Sequence, residues 1–568
     1  MTSVLGRIDA AAGDLFARLG RSVPGAMLVI AVVAAVFLIP GQDALPLTDR
    51  DEARYVLASK QMLETGDYIE PRNLDGPRWK KPAGIYWLQS AAATLSGQGA
   101  DAPLWVYRLP SSLGILAAAL LTLWAFRPLT GPGPAAIAGL VVASSVVTAA
   151  EGHIAKTDAA LLAVIVLAQG ALVRCLDRIP ELGFGWPHAL FWTALAGGVL
   201  IKGPIILIVV VGTLLWLTVF ELSLDDIRRT RPWPGLLLFA VLTLPWFLAI
   251  GVATDWGFYA EAVGRDLLGK IDGAAEGHTG PPGYYLMTIW ITFWPWTPLA
   301  LLAVPLAWAQ RRSDTLRFLA GWIIPTWAVF AVATTKLPHY VMPVLPAVGA
   351  LIGLWLLAPE GRARPVLQWL AAALFLLGAL LLAGLVVGGP LWFEGRIFPI
   401  AVGLAVLGLI AAILGAFALG QGLPRAAAVF GVLAGAVLLP ALLRETLPRL
   451  ESLFLSPRMA ALDAAFDDCV DRPVVATGYE ELSLAFLTGT DTVFGPPERA
   501  VSVLASGEPG WRVFAPLGDE AALEALAGAD LDAIATIRGI NYNAGPGTVG
   551  FGLFARADDT SLDACLSK

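Results

Sequence analysis

The sequence predicts an all-α polytopic membrane protein with about thirteen transmembrane helices, followed by a small α/β domain outside the membrane. Three observations carry this prediction. Of the 568 residues, 57% are hydrophobic and only 15% are charged, against roughly 25% charged residues in an average soluble domain. Apolar runs of membrane-spanning length recur as far as residue 444. From Glu445 onward these runs stop, and acidic residues recur every few positions.

Most of the apolar runs have the length of about 17 to 25 residues that a helix needs to cross a bilayer. They lie at 24–40, 107–126, 133–150, 157–175, 188–201, 204–222, 234–252, 287–310, 316–334, 340–357, 366–387, 398–419 and 425–444. Whether residues 188–222 form one helix or two stays open, because 188–201 is short and Lys202-Gly203-Pro204 interrupts the run.

The positions of the arginines orient these spans, because cytoplasmic loops carry an excess of basic residues. With a cytoplasmic N-terminus, the inner loops hold most arginines, the short outer loops are nearly free of them, and an odd number of spans places the C-terminal domain outside. The sequence therefore predicts a multi-pass membrane protein whose C-terminal domain lies outside the cytoplasm. All eight lysines then fall on the outer side, which favours a functional cationic surface there.

The net charge divides the chain into two predicted domains, 1–444 with a balance of +4 and 445–568 with a balance of −11. Within the second, residues 456–468 and 519–528 read as helices, and 473–477, 533–537 and 549–554 read as strands. Cys469 and Cys565 both lie in this domain, where an oxidising compartment preserves disulfides, so we predict that they pair. Nothing resembles the basic, aromatic-rich patches of nucleic-acid-binding proteins.

The predicted outer loop 41–106 is too long to be a simple connection between two spans. One amphipathic helix is expected to begin at Asp51, with Asp49 as its N-cap and Gly66 at its end. A second is expected after Pro82. Short helices of this kind lie in the membrane interface.

Two acidic clusters follow the first and third predicted spans. Residues 49–55 read DRDEARY, and residues 151–158 read EGHIAKTD, with Asp158 entering an apolar run. Carboxylates within membrane segments are costly and usually functional, and two of them at one site suit general-base activation of a hydroxyl. Helix capping is the alternative reading of these acids, and the spacing alone leaves both open.

Basic residues mark two further outer segments. Lys80 and Lys81 suit the binding of a phosphate at the membrane surface, although interfacial lysines also bind anionic headgroups. Lys336, His339 and Tyr340 lie in a short connection between two predicted spans. His278 precedes an aromatic pair in another outer loop, and a lone histidine is more often structural.

The motifs occur in a characteristic order: DEARY at 51–55, KKP at 80–82, KTD at 156–158, KGP at 202–204 and KLPHY at 336–340. This order resembles the aminoarabinose transferases that modify lipid A, and the wider GT-C family of membrane glycosyltransferases related to protein O-mannosyltransferases. The resemblance covers residues 1 to about 445. It implies an inverting glycosyltransferase that takes a sugar from undecaprenyl phosphate at the periplasmic face and passes it to lipid A or another glycolipid or envelope acceptor.

The resemblance also assigns roles to individual residues. As catalytic residues it implies Asp51, Asp158 and Glu52. As ligands of the donor phosphate or substrate it implies Arg54, Tyr55, Lys81, Lys336, Tyr340 and His278, and Lys80 is added to them because it stands beside Lys81. One departure concerns cofactors, because the aminoarabinose transferases have a glutamate before the lysine of this motif and this chain has Lys80. No cofactor is certain, and a divalent cation near His278 stays open.

A transporter or flippase of lipid-linked sugars is the rival hypothesis. It would share the spans and the phosphate-binding lysines, but it predicts ionisable residues near mid-membrane and broken helices in repeated halves. Here the ionisable residues concentrate at one face and no repeat is visible. A structural scaffold, the third reading, leaves the clustered acids unexplained. The sequence therefore favours an enzyme.

Overall fold

The computed structural model describes residues 2–177, 183–268, 280–281, 283–358, 364–466, 470, 472–518, 530–543, 545, 547–559 and 561–562. Most of this chain is helical. The helices of the membrane part and its loops are Thr2–Leu19, Val23–Leu38, Asp51–Thr65, Gly84–Leu95, Leu104–Thr130, Pro132–Ala143, Val146–Gly152, Thr157–Leu176, Trp186–Lys202, Ile205–Glu221, Asp225–Arg229, Pro232–Ala253, Gly257–Tyr259, Tyr284–Thr292, Thr297–Ala309, Asp314–Val332, Leu345–Leu357, Pro365–Glu394, Pro399–Gly420 and Pro424–Pro440. Wider π-helical turns follow at Ala260–Leu268 and Ala441–Thr446, and a 3-10 segment spans Pro338–Val344.

Among the described residues, eight helices are long and apolar enough to cross a membrane, and up to eleven spans result if each of three bent pairs counts as one. Trp186–Lys202 and Ile205–Glu221, of 17 residues each, occupy the remaining two predicted runs. They are two helices, separated where Gly203 adopts a positive φ of 71°. Every predicted apolar run is thus helical, and the predicted fold class is confirmed.

Sharp bends are what hydropathy did not predict. The N-terminal helix meets Val23–Leu38 at 119°, and Tyr284–Thr292 meets Thr297–Ala309 at 118°. The first bend lies at Gly20-Arg21-Ser22, where the Ser22 hydroxyl accepts a hydrogen bond from the Gly25 amide and begins a new helix. Since hydropathy measures only how apolar a run is, it gives no information on whether the run is straight.

The loop between the first two spans is folded, as predicted. Helix Asp51–Thr65 ends at Gly66, which adopts a left-handed conformation with φ 73°, as a C-cap requires. Strands β1 (Arg72–Asn73) and β2 (Gly76–Pro77) form a hairpin before helix Gly84–Leu95. We call the end of the membrane helices that carries this loop the loop face.

The predicted N-cap of the first loop helix is wrong. The N-cap residue is Arg50, with φ 62°, and no side chain caps the helix there. Asp49 instead accepts a hydrogen bond from Ser483. A carboxylate with an available tertiary partner need not serve the local backbone, and the sequence pattern could not reveal a partner more than 400 positions away.

The C-terminal part contains an α/β unit, as predicted. Its helices are Leu455–Asp463, Leu482–Thr488 and Pro497–Ala505, and its strands are β3 (Val475–Ala476), β4 (Val493–Phe494), β5 (Val513–Pro516), β6 (Leu531–Ile540) and β7 (Thr548–Arg556). The sheet order is β4-β3-β5-β7-β6; β3 pairs in parallel with β4 and β5, whereas β7 is antiparallel to β5 and β6.

Three predictions about this part remain predictions. The helix at 519–528 and both cysteines of the predicted disulfide, Cys469 and Cys565, lie outside the described residues. The predicted domain boundary between 444 and 445 falls within the helical stretch Pro424–Arg449.

The α/β unit packs directly on the folded loop. Phe486 contacts Tyr107 edge to face, with 5.5 Å between ring centroids, and the Thr490 hydroxyl donates to Glu64 over 2.7 Å. Leu47, Val56 and Leu57 share one hydrophobic cluster with Phe486. These contacts hold the turn between β6 and β7 near the start of helix Asp51–Thr65.

Candidate active site

Two cavities meet at the loop face. One is polar, with a volume of about 530 Å³, and the other is mainly apolar, with a volume of about 340 Å³. Six residues line both: Lys80, Lys81, Asp158, Lys202, Thr335 and Tyr340. The apolar cavity extends between membrane helices along Leu161, Val199 and Phe239. Together they offer one continuous amphipathic space.

Charged side chains dominate the polar cavity. Those that line it are Asp49, Arg50, Asp51, Arg54, Arg78, Lys80, Lys81, Lys156, Asp158, Lys202, Glu261 and Arg265. The uncharged polar residues are Tyr55, Thr157, Thr335, His339, Tyr340, Tyr542 and Asn543. Of the sequence-predicted site residues, seven lie here: Asp51, Arg54, Tyr55, Lys80, Lys81, Asp158 and Tyr340.

Helix geometry brings the residues of the first motif to the cavity. Asp51 is the first residue of its helix, and Arg54 and Tyr55 follow three and four positions later. Residues at these spacings share one helix face. Tyr55 is 4% exposed and packs against Tyr86 with 5.6 Å between ring centroids. Burial raises the pKa of Tyr55 well above its ordinary value, so the ring is a neutral wall of the site.

Glu52 points away from the cavity and is sealed inside the protein. Arg108 donates to it from Nε over 2.8 Å and from Nη2 over 3.1 Å, and the Ala155 amide donates over 2.9 Å. Burial raises the pKa of Glu52, but Arg108 and these bonds outweigh burial and hold it below its ordinary value. Glu52 therefore ties three segments together and positions its neighbour Asp51, rather than facing a substrate.

Asp158 belongs to a compact charge cluster that does face the cavity. Lys202 Nζ lies 2.5 Å from Asp158 Oδ1, and His339 Nε2 lies 3.7 Å from the same oxygen. Behind them, Glu151 Oε1 lies 3.0 Å from Lys156 Nζ and 3.4 Å from His339 Nδ1. The cluster joins three loop-face segments and fixes the orientation of the Asp158 carboxylate at the junction of the two cavities.

The predicted phosphate ligands divide into two groups. Lys80, Lys81 and Tyr340 line both cavities, where an anionic headgroup with an apolar tail would place its charge. Lys336 does not line either cavity, and its ammonium donates to the Ala333 carbonyl over 2.6 Å. His278 lies outside the described residues.

The structure adds residues that the sequence analysis did not select. Arg78, Lys156, Lys202 and Arg265 all contribute cationic side chains to the polar cavity. Lys156 and Lys202 are the lysines of the KTD and KGP motifs, so the sequence did carry a signal for them. No sequence signal marked Arg78, because a lone arginine in a loop is typical of a solvated surface.

The C-terminal unit closes one side of the polar cavity. Tyr542 accepts a hydrogen bond from the Asp49 amide over 2.9 Å, and Arg50 Nη2 donates to the Asn543 carbonyl over 2.9 Å. Asn543 also donates to Glu481 over 2.8 Å. Burial raises the pKa of Asp49 to about 6 despite its bond from Ser483. At this contact with the C-terminal unit, the Asp49 carboxyl group therefore loses its proton less readily than an ordinary aspartate.

A metal site that uses residue 80 as a ligand does not fit the side chains present. A protonated lysine has no lone pair to offer a cation, and metal sites use carboxylate, imidazole or thiolate ligands. Within the described ranges, no group of three such side chains is arranged to hold a metal. We therefore derive no step through a metal ion.

Known proteins share both sequence and architecture with this chain. Residues 47–255 match the family model described as dolichyl-phosphate-mannose-protein mannosyltransferase. The undecaprenyl phosphate-alpha-4-amino-4-deoxy-L-arabinose arabinosyl transferase 2 of Pseudomonas fluorescens is 27% identical over 339 residues, or 57% of this chain and 58% of the relative. A corresponding transferase of Edwardsiella ictaluri is 28% identical over 332 residues, 56% of either chain. The matched region thus spans less than two thirds of these relatives.

The solved structures agree over a longer stretch. ArnT from Cupriavidus metallidurans bound to undecaprenyl phosphate superimposes with a TM-score of 0.72 at 19% identity, covering 94% of this chain and 98% of that one. The chain has the fold of the GT-C membrane glycosyltransferases. The Archaeoglobus fulgidus oligosaccharyltransferase shares this fold more distantly, with a TM-score of 0.51 at 10% identity over 88% of this chain and 70% of that one. The resemblance drawn from the ordered motifs is confirmed.

Proposed function

We propose that this GT-C chain is an integral membrane glycosyltransferase, which moves a sugar from undecaprenyl phosphate to lipid A or another envelope acceptor. The observation that carries the proposal is the meeting of Asp51 and Asp158 at one polar cavity, beside Lys80 and Lys81 and open to an apolar cavity. A polyprenyl phosphate has this same division between a charged head and an apolar tail. The matched transferases support the substrate class.

The location of the reaction follows from the distribution of arginines. Under the positive-inside rule, the loop face is periplasmic, the N-terminus is cytoplasmic, and the α/β unit is a periplasmic domain of an inner-membrane protein. The α/β unit packs on the loop face, which is consistent with this orientation. Donor and acceptor lipids of the outer leaflet would reach the site directly.

The proposed chemistry is a single inverting displacement. The acceptor oxygen attacks the anomeric carbon as the bond from that carbon to the phosphate oxygen breaks, and the electron pair leaves on undecaprenyl phosphate. Asp51 takes the proton of a hydroxyl acceptor, which is the role of a general base. Lys81, Lys80 and Arg54 stabilise the charge that develops on the departing phosphate.

Asp158 supports this reaction from the same cavity. Its carboxylate is held by Lys202 over 2.5 Å, so it presents a fixed acceptor for the hydroxyl groups of the donor sugar. Preorganised groups of this kind cost no reorganisation at the moment of reaction. Phosphate is a good leaving group, so the displacement demands no nucleotide cofactor.

The test is release of undecaprenyl phosphate from a labelled lipid-phosphate sugar by the purified protein. We expect Asp51→Asn to reduce release by about 100-fold or more, because it removes the base, while the midpoint of thermal unfolding stays near that of the wild type. Asp75→Asn is the matched control, since Asp75 is an exposed acid of the same loop. Near-normal turnover by Asp51→Asn would remove Asp51 from the mechanism.

The same assay separates the enzyme from the flippase. An enzyme cleaves the bond between sugar and phosphate, whereas a flippase moves the intact lipid between leaflets. Transport of label across a proteoliposome membrane without release of undecaprenyl phosphate would overturn the proposed function.

A further inference from the structure

Arg78 is a buried cation of the polar cavity that the proposed reaction does not use. It follows β2, is 7% exposed and lines the cavity. Its guanidinium carbon lies 5.4 Å from the ring centroid of Tyr55, and Tyr55 itself rests on Tyr86. The Tyr55 ring, supported by the tilted ring of Tyr86, restricts the guanidinium to one position, as preorganised anion sites require.

The hydrogen bonds of Arg78 are incomplete. Its Nε is buried and has no hydrogen-bond partner among the described residues. Because a guanidinium is not deprotonated in proteins, the Arg78 side chain is charged. A buried polar group that lacks a partner costs free energy, and an anion bound in the cavity would remove that cost.

The cavity as a whole has more positive charge than one lipid phosphate neutralises. Among the described residues that line it, eight side chains are cationic and four are carboxylates. A sugar linked to undecaprenyl phosphate brings a single phosphodiester charge. The surplus favours a second anionic group and opposes a cationic one, since like charges in an enclosed site raise each other's energy.

The charge at residue 80 also disfavours a cationic substrate. The relatives named above act on 4-amino-4-deoxy-L-arabinose, whose amino group is cationic at neutral pH. Lys80 and Lys81 line the same cavity. Their positive charges would repel a cationic amino sugar.

We propose that Arg78 binds a second anionic group, a carboxylate or a phosphate carried by the donor sugar or by the acceptor, and thereby selects an acidic substrate. This inference rests on the proposed glycosyltransferase function. The planar guanidinium forms paired hydrogen bonds with either group, and Lys80 adds charge from the same cavity. Selection arises because a neutral substrate leaves Arg78 Nε without a partner.

The experiment compares two matched pairs of substrates in the undecaprenyl phosphate release assay. The donor pair is a hexuronic acid and the corresponding neutral hexose on undecaprenyl phosphate, and the acceptor pair is lipid A with and without its phosphates. For one pair we expect kcat/KM of the wild type to favour the acidic member by about 10- to 100-fold, as for a hydrogen bond to a charged group. The pair that shows the preference identifies the source of the anion.

The variants then assign this preference to Arg78. Arg78→Gln should lower kcat/KM for the acidic member and leave the neutral member unchanged, so that the preference disappears, whereas Arg78→Lys should retain part of it. Arg72→Gln is the matched control, since Arg72 is a half-exposed arginine of the same hairpin that pairs with Glu70. If Arg78→Gln fails to fold, the preference of the wild type and its reduction in Arg78→Lys decide the question.

Two results would overturn the inference while the proposed function stands. One is equal turnover of acidic and neutral members by the wild type. The other is an Arg78→Gln variant that keeps the preference of the wild type or slows both members of a pair equally. Failure of the wild type to release undecaprenyl phosphate from any donor would instead refute the proposed function, and the role of Arg78 with it.

Discussion

Two buried ion pairs stand a short distance apart at the loop face, and they differ in what surrounds them. Glu52 and Arg108 are both 0% exposed, and the glutamate accepts bonds from Arg108, Thr48 and Ala155. Asp158 and Lys202 are 10% and 14% exposed, and both line the cavities. The first pair is closed by protein, whereas the second has one open side.

The difference shows how neighbouring acids of one motif acquire separate roles. A closed pair with every bond satisfied cannot exchange a partner for a ligand, so it holds the fold together. An open pair keeps its geometry but leaves room for a substrate hydroxyl or phosphate. Asp51 and Glu52 are adjacent in sequence, yet they lie on opposite sides of this division.

The largest effect is expected from a substitution that breaks the closed pair of Glu52 and Arg108. Arg108→Met leaves Glu52 buried without its counter-charge, which typically costs about 3–5 kcal/mol of folding free energy. The measurement is the unfolding midpoint and the folded yield of the detergent-purified protein. Arg127→Met is the matched control, because Arg127 is exposed near the other end of the same helix. A wild-type midpoint for Arg108→Met would contradict the structural role of the pair.

The next largest effect is expected from a substitution that disrupts the open pair of Asp158 and Lys202 while the protein stays folded. Asp158→Asn should reduce the release of undecaprenyl phosphate by about 100-fold, because the amide no longer presents a charged acceptor to the donor sugar. Its unfolding midpoint should shift far less than that of Arg108→Met.

Asp177→Asn provides the control for this prediction, since Asp177 is exposed and ends the same helix that begins beside Asp158. An Asp158→Asn variant that unfolds as readily as Arg108→Met, or that retains full activity, would show that Asp158 belongs with the closed pair.

The smallest effect concerns Asp49, which the C-terminal unit covers. Its pKa is raised to about 6 in the folded protein from 3.8, so the folded state binds the proton more tightly than the unfolded state. Stability should therefore fall as pH rises from about 4 to about 6 and stay level above that range. The loss should be at most about 2 kcal/mol, because the site is partly exposed to solvent.

Asp49→Asn removes this titration, and the test is the unfolding midpoint measured from pH 4 to pH 8 for both proteins. We expect the variant to be more stable than the wild type at pH 7 and equal to it near pH 4. Parallel pH profiles for the two proteins would show that Asp49 is not the titrating group.

Much of the membrane architecture was predictable from local pattern. A run of apolar residues suffices to define a spanning helix, and all thirteen predicted runs are helical, including the two separated at Gly203. The turn at Gly66 was predictable for the same reason, because it depends on one residue and its neighbours. The bends of 119° and 118° were not predicted, because hydropathy reports only how apolar a run is.

The site was only partly predictable, because the roles of its charges depend on distant partners. Asp51 and Asp158 line the polar cavity, whereas Glu52, which was selected with them, is buried in an ion pair. Its partner Arg108 lies 56 positions away, inside a run that hydropathy reads only as a span. The role of Lys336 also depends on its neighbours. Its motif indicated a phosphate ligand, whereas in the structure its ammonium donates a hydrogen bond to the Ala333 carbonyl.

The central claim is that Asp51 and Asp158 act on one substrate in one cavity, and a double-mutant cycle tests it most directly. The measurement is kcat/KM for undecaprenyl phosphate release by Asp51→Asn, Asp158→Asn and the double variant. Residues that act as a unit give losses that do not add, so the double variant should be only slightly slower than the slower single variant. A loss equal to the product of the two single losses would show that the carboxylates act independently, and would contradict the account.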